Sequence, residues 1–325
     1  MSVRDLIIIG AGPTGLAAAI AAKQHGLDYQ VVEQGVLVNS IYRFPHQMVF
    51  FTTPELLEIG GLPFVSPYDK PTRAEALMYY RKVVDTFDLQ IAYEEKVLSI
   101  AWDADEKAFD VETRSSRGVR RVRQGRVVIF AIGYYDHPVL IRVPGEDLPH
   151  VHHFYDEPHA YYRQRVVVVG GGNSAAETAL DLYRTGAFVT LVHRNRELKS
   201  TIKYWVRPDI ENRLKEGSIG DRRGACVREI RPTSVVLESG EELAADAVFL
   251  LTGYRADSAL MQAAGVRLNE RNAPVHDPET FETNVPGLFV AGGAIAGEDT
   301  GLIFIENGRF HGARIVDVVA KRLAS

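Results

Sequence analysis

The sequence of 325 residues contains a single cysteine, Cys226. One thiol excludes an internal disulfide, a CxxC redox pair and a zinc site made of several thiolates. Reduction of a disulfide through a dithiol of the chain is excluded for the same reason. With no second thiol to pair with, we expect Cys226 to be a buried packing residue.

The sequence also lacks a basic excess and a long hydrophobic run. Lys and Arg number 37 and Asp and Glu number 42, so the formal net charge is −5, which argues against a general nucleic-acid binder. The most apolar stretch, residues 6–22, is interrupted by glycines and preceded by Asp5. It suits neither a membrane span nor a secretory signal. We therefore expect a soluble cytoplasmic protein with no nucleic-acid and no membrane partner.

What the sequence does contain is a near-repeat. Segments 5–34 and 165–194 each consist of a buried apolar strand, a glycine turn, a helix that starts with small residues, and a second strand. This is the length and order of a βαβ unit, and the continuous β-branched runs suit parallel strands buried on both faces. Two such units predict an α/β fold with two Rossmann-like dinucleotide-binding domains.

The segments around the near-repeats suggest that one domain interrupts the other. Residues 72–88 show the spacing of a helix capped by Thr72, and residues 91–130 and 226–251 each alternate like a β-meander. Prolines and glycines follow the first meander, and a Thr-Gly pair follows the second. We predict a first domain in residues 1–137 and 254–325, and a second domain in residues 138–253 inserted into it.

The first glycine turn is Gly10-x-Gly12-x-x-Gly15, and Glu33 stands at the end of the following strand. Gly10 permits a tight turn, Gly12 lets the backbone approach a pyrophosphate, and Gly15 permits close packing of the helix. The helix N-terminus then stabilises the phosphate charge, and Glu33 can accept hydrogen bonds from the ribose hydroxyls. The turn and the acid together predict a dinucleotide site.

The second glycine turn, Gly170-x-Gly172-x-x-Ala175, has no acid at the end of its second strand. A basic cluster stands there instead. A carboxylate would repel a 2′-phosphate and a basic cluster pairs with one, so the pattern favours NADPH over NADH. A solvated charged face remains the alternative. The residues concerned are Gly170, Gly172, Asn173, Ser174, Ala175, His193, Arg194, Arg196 and Lys199.

A third element lies near the C-terminus. Residues 284–293 form a short apolar strand that ends in glycines, and residues 303–312 contain the start of a helix. This arrangement can bring backbone N–H groups and a helix dipole to a flavin ring, or it can be a purely structural strand and helix.

These motifs together resemble the flavoproteins with two dinucleotide-binding domains, and the length is similar to that of the low-molecular-weight thioredoxin reductase branch. Residues 200–209, 249–254 and 303–308 more specifically resemble the bacillithiol disulfide reductase family, over essentially the whole chain. The resemblance implies an NADPH-dependent FAD oxidoreductase and a homo-oligomer, either a homodimer or a tetramer. A hydride would pass from NADPH to FAD and its electrons on to an acceptor, for which we expect a low-molecular-weight disulfide such as bacillithiol disulfide.

The resemblance also implies which residues hold the two cofactors. FAD would bind to Gly10, Gly12, Pro13, Thr14, Gly15, Glu33, Gln34, Tyr42, Val97, Ala131, Gly133, Gly292, Gly293 and Ile303. NADPH would bind to Gly170, Gly172, Asn173, Ser174, Ala175, His193, Arg194, Lys199 and Gly253.

The chain departs from its relatives at positions that matter for catalysis. Residues 154–157 occupy the stretch in which thioredoxin reductases carry their CxxC pair, and Thr14 stands where bacillithiol disulfide reductases often carry a cysteine next to the flavin. The family's Ala-Gly-Asp signature ends in Gly293, which leaves backbone N–H groups, or Asp299, to bond the flavin. The sequence therefore leaves the catalytic residues unknown.

Two functions other than disulfide reduction stay open. A ferredoxin or flavodoxin reductase of the thioredoxin reductase type passes electrons to a small redox protein and needs no cysteine. A regulator that binds flavin and nucleotide without catalysis needs no acceptor.

The connector that follows the first domain contains two patterns that could mislead. Its four histidines, His150, His152, His153 and His159, fit no helical pair such as i,i+4, so we predict no metal site. The same connector partly matches a flavin monooxygenase fingerprint, but its aromatic start is missing and its histidine is displaced. We interpret that match as coincidence.

Overall fold

The computed structural model describes residues 3–324, which form two units. Unit 1 contains the described residues up to His137 and those from Arg255 onward, and unit 2 contains Pro138–Tyr254. Along the chain, the second unit is therefore an insertion in the first. Within residues 3–324, every helix is too short or too polar to cross a membrane.

The strands are β1 (Arg4–Ile9), β2 (Tyr29–Val32), β3 (Ile91–Ala92), β4 (Glu95–Asp103), β5 (Ala108–Ser115), β6 (Arg120–Phe130), β7 (Val151–His152), β8 (Arg165–Val169), β9 (Phe188–His193), β10 (Gly220–Arg223), β11 (Val227–Arg231), β12 (Ser234–Leu237), β13 (Glu242–Ala244), β14 (Ala247–Leu250) and β15 (Leu288–Val290). The helices are α1 (Pro13–Gln24), α2 (Asn39–Tyr42), α3 (Arg73–Phe87), α4 (Asn173–Thr185), α5 (Arg207–Lys215), α6 (Ser258–Ala263), α7 (Ile305–Gly308) and α8 (His311–Ala324). Short 3₁₀ turns lie at Pro54–Leu57, His159–Tyr161 and Gly292–Ala296.

Unit 1 is built on a seven-stranded sheet. Strands β3, β2, β1 and β6 lie side by side in parallel, and β15 also pairs in parallel with β6. Strand β6 joins two kinds of sheet, because its first half pairs antiparallel with β5 and its second half pairs in parallel with β1 and β15. Strands β4, β5 and β6 confirm the meander predicted for residues 91–130.

Successive side chains of β1 enter two different hydrophobic cores. Leu6 and Ile8 pack in the core that contains helix α1, whereas Ile7 and Ile9 pack in a second core with side chains of β4 and α6. All four are buried. This burial on both faces of the sheet explains why the strand has no polar alternation.

Helix α3 confirms the helix predicted for residues 72–88. The hydroxyl of Thr72 accepts a hydrogen bond from the amide of Glu75 at 3.2 Å, and the Glu75 carboxylate accepts one from the amide of Thr72 at 2.8 Å. This reciprocal capping box satisfies two amides that the helix geometry leaves without an internal partner.

Unit 2 contains a five-stranded parallel sheet in the order β10-β9-β8-β14-β7 and a separate antiparallel sheet of β11, β12 and β13. Its β8–α4–β9 segment has the same order of elements and the same parallel pairing as β1–α1–β2 in unit 1. The two repeats confirm the predicted α/β fold with two Rossmann-like units.

The meander predicted for residues 226–251 was partly wrong. Its third strand is β13, whereas Ala247–Leu250 form β14 and lie between β8 and β7 in the parallel sheet. All four residues of β14 are buried. A short apolar run fits a meander and a parallel sheet equally well, since the identity of its partner strand is not a local property.

Candidate functional sites

Four strands of unit 1 end side by side. In the register of the sheet, Ile9 lies opposite Val32 and Phe130, and Val290 also lies opposite Phe130. The residues that follow these strands, Gly10, Glu33, Ala131 and Ala291, therefore meet at one edge of the sheet. Ligands of open parallel sheets bind outside this edge, at the carboxyl ends of the strands. The structure thus brings three of the predicted FAD residues together.

In the first glycine turn, a side chain would have space at Gly12 but not at Gly10 or Gly15. A Cβ atom on Gly10, which has φ +103°, would lie 2.5 Å from the carbonyl oxygen of Ala131, and one on Gly15 would lie 2.0 Å from the carbonyl oxygen of Gly10. At Gly12 a Cβ would meet no heavy atom within 4 Å. Gly12 is also the N-cap of α1 and provides no side-chain cap. This open space at the positive end of a helix fits the pyrophosphate of a dinucleotide.

Glu33 is buried beside the same turn, at 5 % exposure. Its two carboxylate oxygens accept hydrogen bonds from the backbone amides of Ala11 and Gly35, each at 2.8 Å. Burial is the main effect on this carboxyl and raises its pKa, while these amide bonds act in the opposite direction. Each oxygen keeps a second lone pair, so the predicted hydrogen bonds to ribose hydroxyls remain chemically feasible.

Asp136 organises the segment that follows Glu33. Its carboxylate accepts hydrogen bonds from the side chains of Gln34 at 3.0 Å, Asn39 at 3.2 Å and Arg43 at 3.1 Å. Sequence reasoning included Gln34 but missed the other three residues. No local signal could have shown this arrangement, because Asp136 lies 97 positions from Asn39 in the chain.

Tyr42, a predicted flavin contact, lies at the end of α2 and is 53 % exposed. The buried guanidinium of Arg73 lies 5.5 Å from the centre of its ring. Arg73 also donates hydrogen bonds to the carbonyl oxygens of Ile41 and Tyr42. Arg73 therefore fixes the backbone of α2, and the Tyr42 ring stays accessible to a ligand.

Thr14 faces the C-terminal part of unit 1. Its hydroxyl donates a hydrogen bond to the carbonyl oxygen of Gly308 at 3.3 Å, and a Cβ on Gly292 would lie 2.5 Å from that hydroxyl oxygen. The partly buried side chain at position 14 is thus in contact with the glycines at 292 and 308. A Cβ on Gly308 would lie 3.5 Å from the Ile303 side chain, which places Ile303 at the same junction.

The remaining predicted FAD residues of unit 1 fall in two places. A Cβ on Gly293 would lie 2.7 Å from the ring of Tyr134, the residue after Gly133, and burial raises the pKa of Tyr134 to about 12. Val97 lies on β4 and is buried in the hydrophobic core that also contains Ile7 and Ile9 of β1. Asp299 forms an ion pair with Arg271, so its carboxylate is already engaged within the protein.

Unit 2 repeats the geometry of the glycine turn. A Cβ on Gly170 would lie 2.4 Å from the carbonyl oxygen of Leu251 and 2.9 Å from the Cβ of Ala175. A Cβ on Gly172 would meet only the aliphatic chain of Lys199, at 3.8 Å. Gly172 is the N-cap of α4 and has no side-chain cap. The second turn therefore also leaves space for phosphate at a helix N-terminus.

The imidazole of His193 lies directly against this turn. A Cβ on Gly171 would be 2.3 Å from its Nε2 atom, which is buried without a hydrogen-bond partner among residues 3–324. Burial is the main cause that lowers the pKa of His193, followed by the charges of Arg194, Lys199 and Arg223. His193 is thus a neutral imidazole, and its ring leaves no space for a side chain at position 171.

Three exposed basic side chains follow His193 in the sequence. Arg194, Arg196 and Lys199 form no ion pair within the described part of the chain. The amide of Lys199 donates a hydrogen bond to the carbonyl oxygen of Gly171 at 2.9 Å, so this lysine is tied to the glycine turn. Unpaired cations beside a glycine turn of this kind are what the binding of a 2′-phosphate would require.

Asn173 attaches the following loop to the start of α4. Its side chain donates a hydrogen bond to the carbonyl oxygen of Thr201 at 3.0 Å and accepts one from the amide of Lys203 at 2.9 Å. This role differs from a direct contact with the nucleotide and was not visible in the sequence. Ser174 is exposed beside it, and Gly253, at φ +115°, has open space where a Cβ would project.

Two further expectations concern the inserted unit. Cys226 was expected to be buried, but it is only partly buried, because it precedes β11 at the edge of the small antiparallel sheet. Among residues 3–324, no three His, Cys, Asp or Glu side chains are grouped so that they could hold a metal ion.

Comparison with known proteins identifies the family. The model of the pyridine nucleotide-disulphide oxidoreductase family matches residues 7–292. The chain belongs to this family. Membership confirms the predicted enzyme class, an oxidoreductase, and the predicted cofactors, FAD and NADPH. The sequence-based resemblance to bacillithiol disulfide reductases is confirmed as well.

Individual relatives cover nearly the whole chain. Bacilliredoxin reductase Bdr of Bacillus subtilis is 43% identical over 321 residues, which are 97% of this chain and 97% of the relative. The solved structure of bacillithiol disulfide reductase Bdr (YpdA) from Bacillus cereus is 39% identical, with a TM-score of 0.95 over 99% of this chain and 100% of that one. A ferredoxin–NADP reductase of Ignicoccus hospitalis is 28% identical over 298 residues, 89% of this chain and 90% of the relative.

Proposed function

We propose that this oxidoreductase uses NADPH to reduce a low-molecular-weight disulfide, bacillithiol disulfide. The observation that carries the proposal is the whole-length similarity to a bacilliredoxin reductase and to a solved bacillithiol disulfide reductase. In balanced form, NADPH, one proton and one disulfide give NADP⁺ and two thiols. The bond that breaks is the S–S bond of the acceptor, and the electrons come from the nicotinamide hydride.

We propose that unit 1 is the FAD domain, which the sequence predicts in residues 1–137 and 254–325; Tyr254 itself belongs to unit 2. Support comes from the open space at Gly12, the positive end of α1 and the aligned strand ends beside Glu33. Bound FAD supplies the hydride chemistry between the nucleotide and the acceptor. The chain contributes shape and position: Asp136 holds residues 34–43 in place, and Gly292 closes the turn against Thr14.

We propose that unit 2 is the NADPH domain. The open position at Gly172 would receive the pyrophosphate, and Arg194 and Lys199 would pair with the 2′-phosphate. The neutral ring of His193 would pack beneath the turn without competing for that phosphate. Cationic groups that have no partner in the protein lose no internal ion pair when they bind a phosphate.

We propose that no cysteine of the chain relays electrons to the acceptor. Cys226 is the only thiol in the sequence, and it belongs to the proposed NADPH domain. Position 14 is a threonine whose hydroxyl lies beside Gly292 and donates a hydrogen bond to the carbonyl oxygen of Gly308. The acceptor disulfide would therefore have to reach the flavin itself.

Reduction of the protein by NADPH, followed by an acceptor panel, tests the function. We expect anaerobic NADPH to remove the visible absorption band of the flavin, and bacillithiol disulfide to restore it. If NADPH leaves the band unchanged, the chain is a non-catalytic binder. If ferredoxin or flavodoxin restores the band and the disulfide does not, the acceptor is a small redox protein, the function named for the more distant relative.

We also propose a cytoplasmic homo-oligomer, a homodimer or a tetramer. Exposed apolar side chains in unit 1, such as Leu302 and Phe310, would be buried by an interface between copies. Sedimentation of the purified chain gives the mass of the assembly. A mass of one chain at micromolar concentration would contradict the proposal.

A further inference from the structure

His311 stands at the start of α8 and accepts a hydrogen bond from the backbone amide of Gly292. The distance from that nitrogen to Nδ1 of the imidazole is 3.1 Å. A backbone N–H can only donate, so Nδ1 must be free of a proton and the neutral ring must carry its proton on Nε2. The contact between the two residues therefore defines the tautomer of His311.

A second contact holds the same ring. The imidazole is stacked on Phe281, with ring centres 4.3 Å apart and 24° between the planes. His276 stacks on Phe281 as well, at 6.0 Å. The stack and the hydrogen bond use different properties of His311, its flat ring and its acceptor nitrogen, and can be separated by substitution.

The Gly292 amide lies at the junction of the glycine turn with the C-terminal strand. Gly292 has φ +61°, and a Cβ there would lie 2.5 Å from the Thr14 hydroxyl oxygen. The residue after His311 makes a related contact, because a Cβ on Gly312 would lie 2.6 Å from the amide nitrogen of Ala18. The start of α8 is thus packed closely against α1, with Gly312 next to Ala18.

We propose that His311 is a positioning residue of the FAD site, whose Nδ1 atom holds the Gly292 amide and so sets the turn at Gly292–Gly293 against the glycine turn of α1. The inference rests on the proposed function, since it assumes that FAD binds to unit 1. The FAD contacts predicted from the sequence include Gly292. Under this proposal, its amide binds His311 within the protein and does not donate to the flavin.

Burial, more than the neighbouring charges, keeps the His311 ring neutral. Burial is the largest cause that lowers its pKa to about 4, and the neighbouring His276 and Arg314 act in the same direction. Glu306 and Asp317 line one groove with His311 and Arg314, and Asp317 bonds the His25 side chain at 2.9 Å. At neutral pH, Nδ1 is therefore available as an acceptor.

Two substitutions in the full-length protein separate the hydrogen bond from the stack. H311F keeps a flat ring on Phe281 but removes the acceptor, whereas H311N places an acceptor oxygen at the same distance along the side chain and removes the stack. We expect FAD titrated into the apoprotein to bind about tenfold more weakly to H311F, because a buried amide is left unpaired. We expect H311N to remain within about twofold of the wild type. H276F, which alters the other side of the stack, is the matched control.

The outcomes distinguish the two proposals. Unchanged FAD affinity in H311F, or equal losses in H311F and H311N, overturns the role of His311. Failure of the wild-type apoprotein to bind FAD overturns the proposed function instead. Urea unfolding of each apoprotein variant reports whether unit 1 is folded. If H311F does not fold, ¹⁵N NMR of the wild-type histidines decides, since a proton on Nδ1 of His311 would contradict the inference.

Discussion

The carboxylate of Glu33 accepts a hydrogen bond from the backbone amide of Ala11, with 2.8 Å between Oε2 and the nitrogen. The acid at the end of the second strand therefore shapes the glycine turn before any nucleotide is bound. Its counterpart in unit 2, His193, approaches Gly171 without making such a bond. The two near-repeats thus support their turns by different means.

Replacement of Glu33 should destabilise the protein even without FAD. Glu33→Ala leaves the buried amide of Ala11 unpaired, which costs about 1–3 kcal/mol, and the partly buried amide of Gly35 adds a smaller cost. Glu33→Gln keeps one acceptor oxygen and should lose about half as much. Urea unfolding of the apoproteins measures both changes. An apoprotein of wild-type stability in Glu33→Ala would show that the carboxylate serves only the ligand.

Substitutions of the two glycines at the start of α1 should have different effects, one on FAD affinity and the other on stability. Gly12→Val has open space and ordinary backbone angles, so we expect a folded protein whose FAD affinity falls about 10- to 100-fold. Gly15→Ala places its Cβ against the carbonyl oxygen of Gly10, and we expect a loss of about 1–3 kcal/mol of stability. FAD titration and thermal unfolding, applied to both variants, test the contrast. Equal effects of the two substitutions on stability would contradict it.

Arg194→Ala should lower kcat/KM for NADPH about 10- to 100-fold and leave NADH nearly unchanged. The reason is the loss of a charge-assisted hydrogen bond to the 2′-phosphate, which is worth about 1.5–3 kcal/mol. Steady-state kinetics with both nucleotides measures the ratio. Arg184→Ala is a suitable control, because Arg184 forms an ion pair with Asp209 on another part of unit 2. An unchanged preference for NADPH in Arg194→Ala would contradict the assignment of Arg194 to the 2′-phosphate.

Mild acid should destabilise the protein through His311. Its pKa is lowered to about 4 in the folded protein from an ordinary value of 6.5, mainly by burial. The folded state then binds fewer protons than the unfolded state between these pH values, so stability is full above pH 6.5 and falls as the pH drops towards 4. We expect a loss on the order of 2 kcal/mol.

Urea unfolding at several pH values, with H311N as the comparison, measures this loss. The variant has no titrating group at position 311 and should show a flatter profile. Identical profiles for the two proteins would assign the acid sensitivity to other residues, among them His193, whose pKa burial also lowers.

Thr14→Cys should fold well but should not raise turnover with bacillithiol disulfide by more than about twofold. The new sulfur would stand beside Gly292 and Gly308, in contact with backbone atoms that crowd the approach of a disulfide. Comparison of kcat for the two proteins, with thiol titration of the folded variant, provides the measurement. A several-fold gain would show that position 14 is accessible to the acceptor.

Local patterns predicted a large part of the fold. The helix of residues 72–88, the meander of residues 91–130 and both glycine turns were found, because each depends on periodicity, caps or glycine positions within a short stretch. The apolar run that became β14 was assigned to the wrong sheet, since its four buried residues suit either environment.

The sequence by itself determined the two strand–turn–helix units, the family and the absence of a cysteine pair, because these properties lie in contiguous motifs. Only the tertiary structure decided that Asp136 binds three side chains of residues 34–43, that His311 holds Gly292, and that Gly292 and Gly308 contact Thr14. Each of these contacts joins residues from different elements. Their approach depends on how strands and helices pack, which periodicity along one chain does not encode.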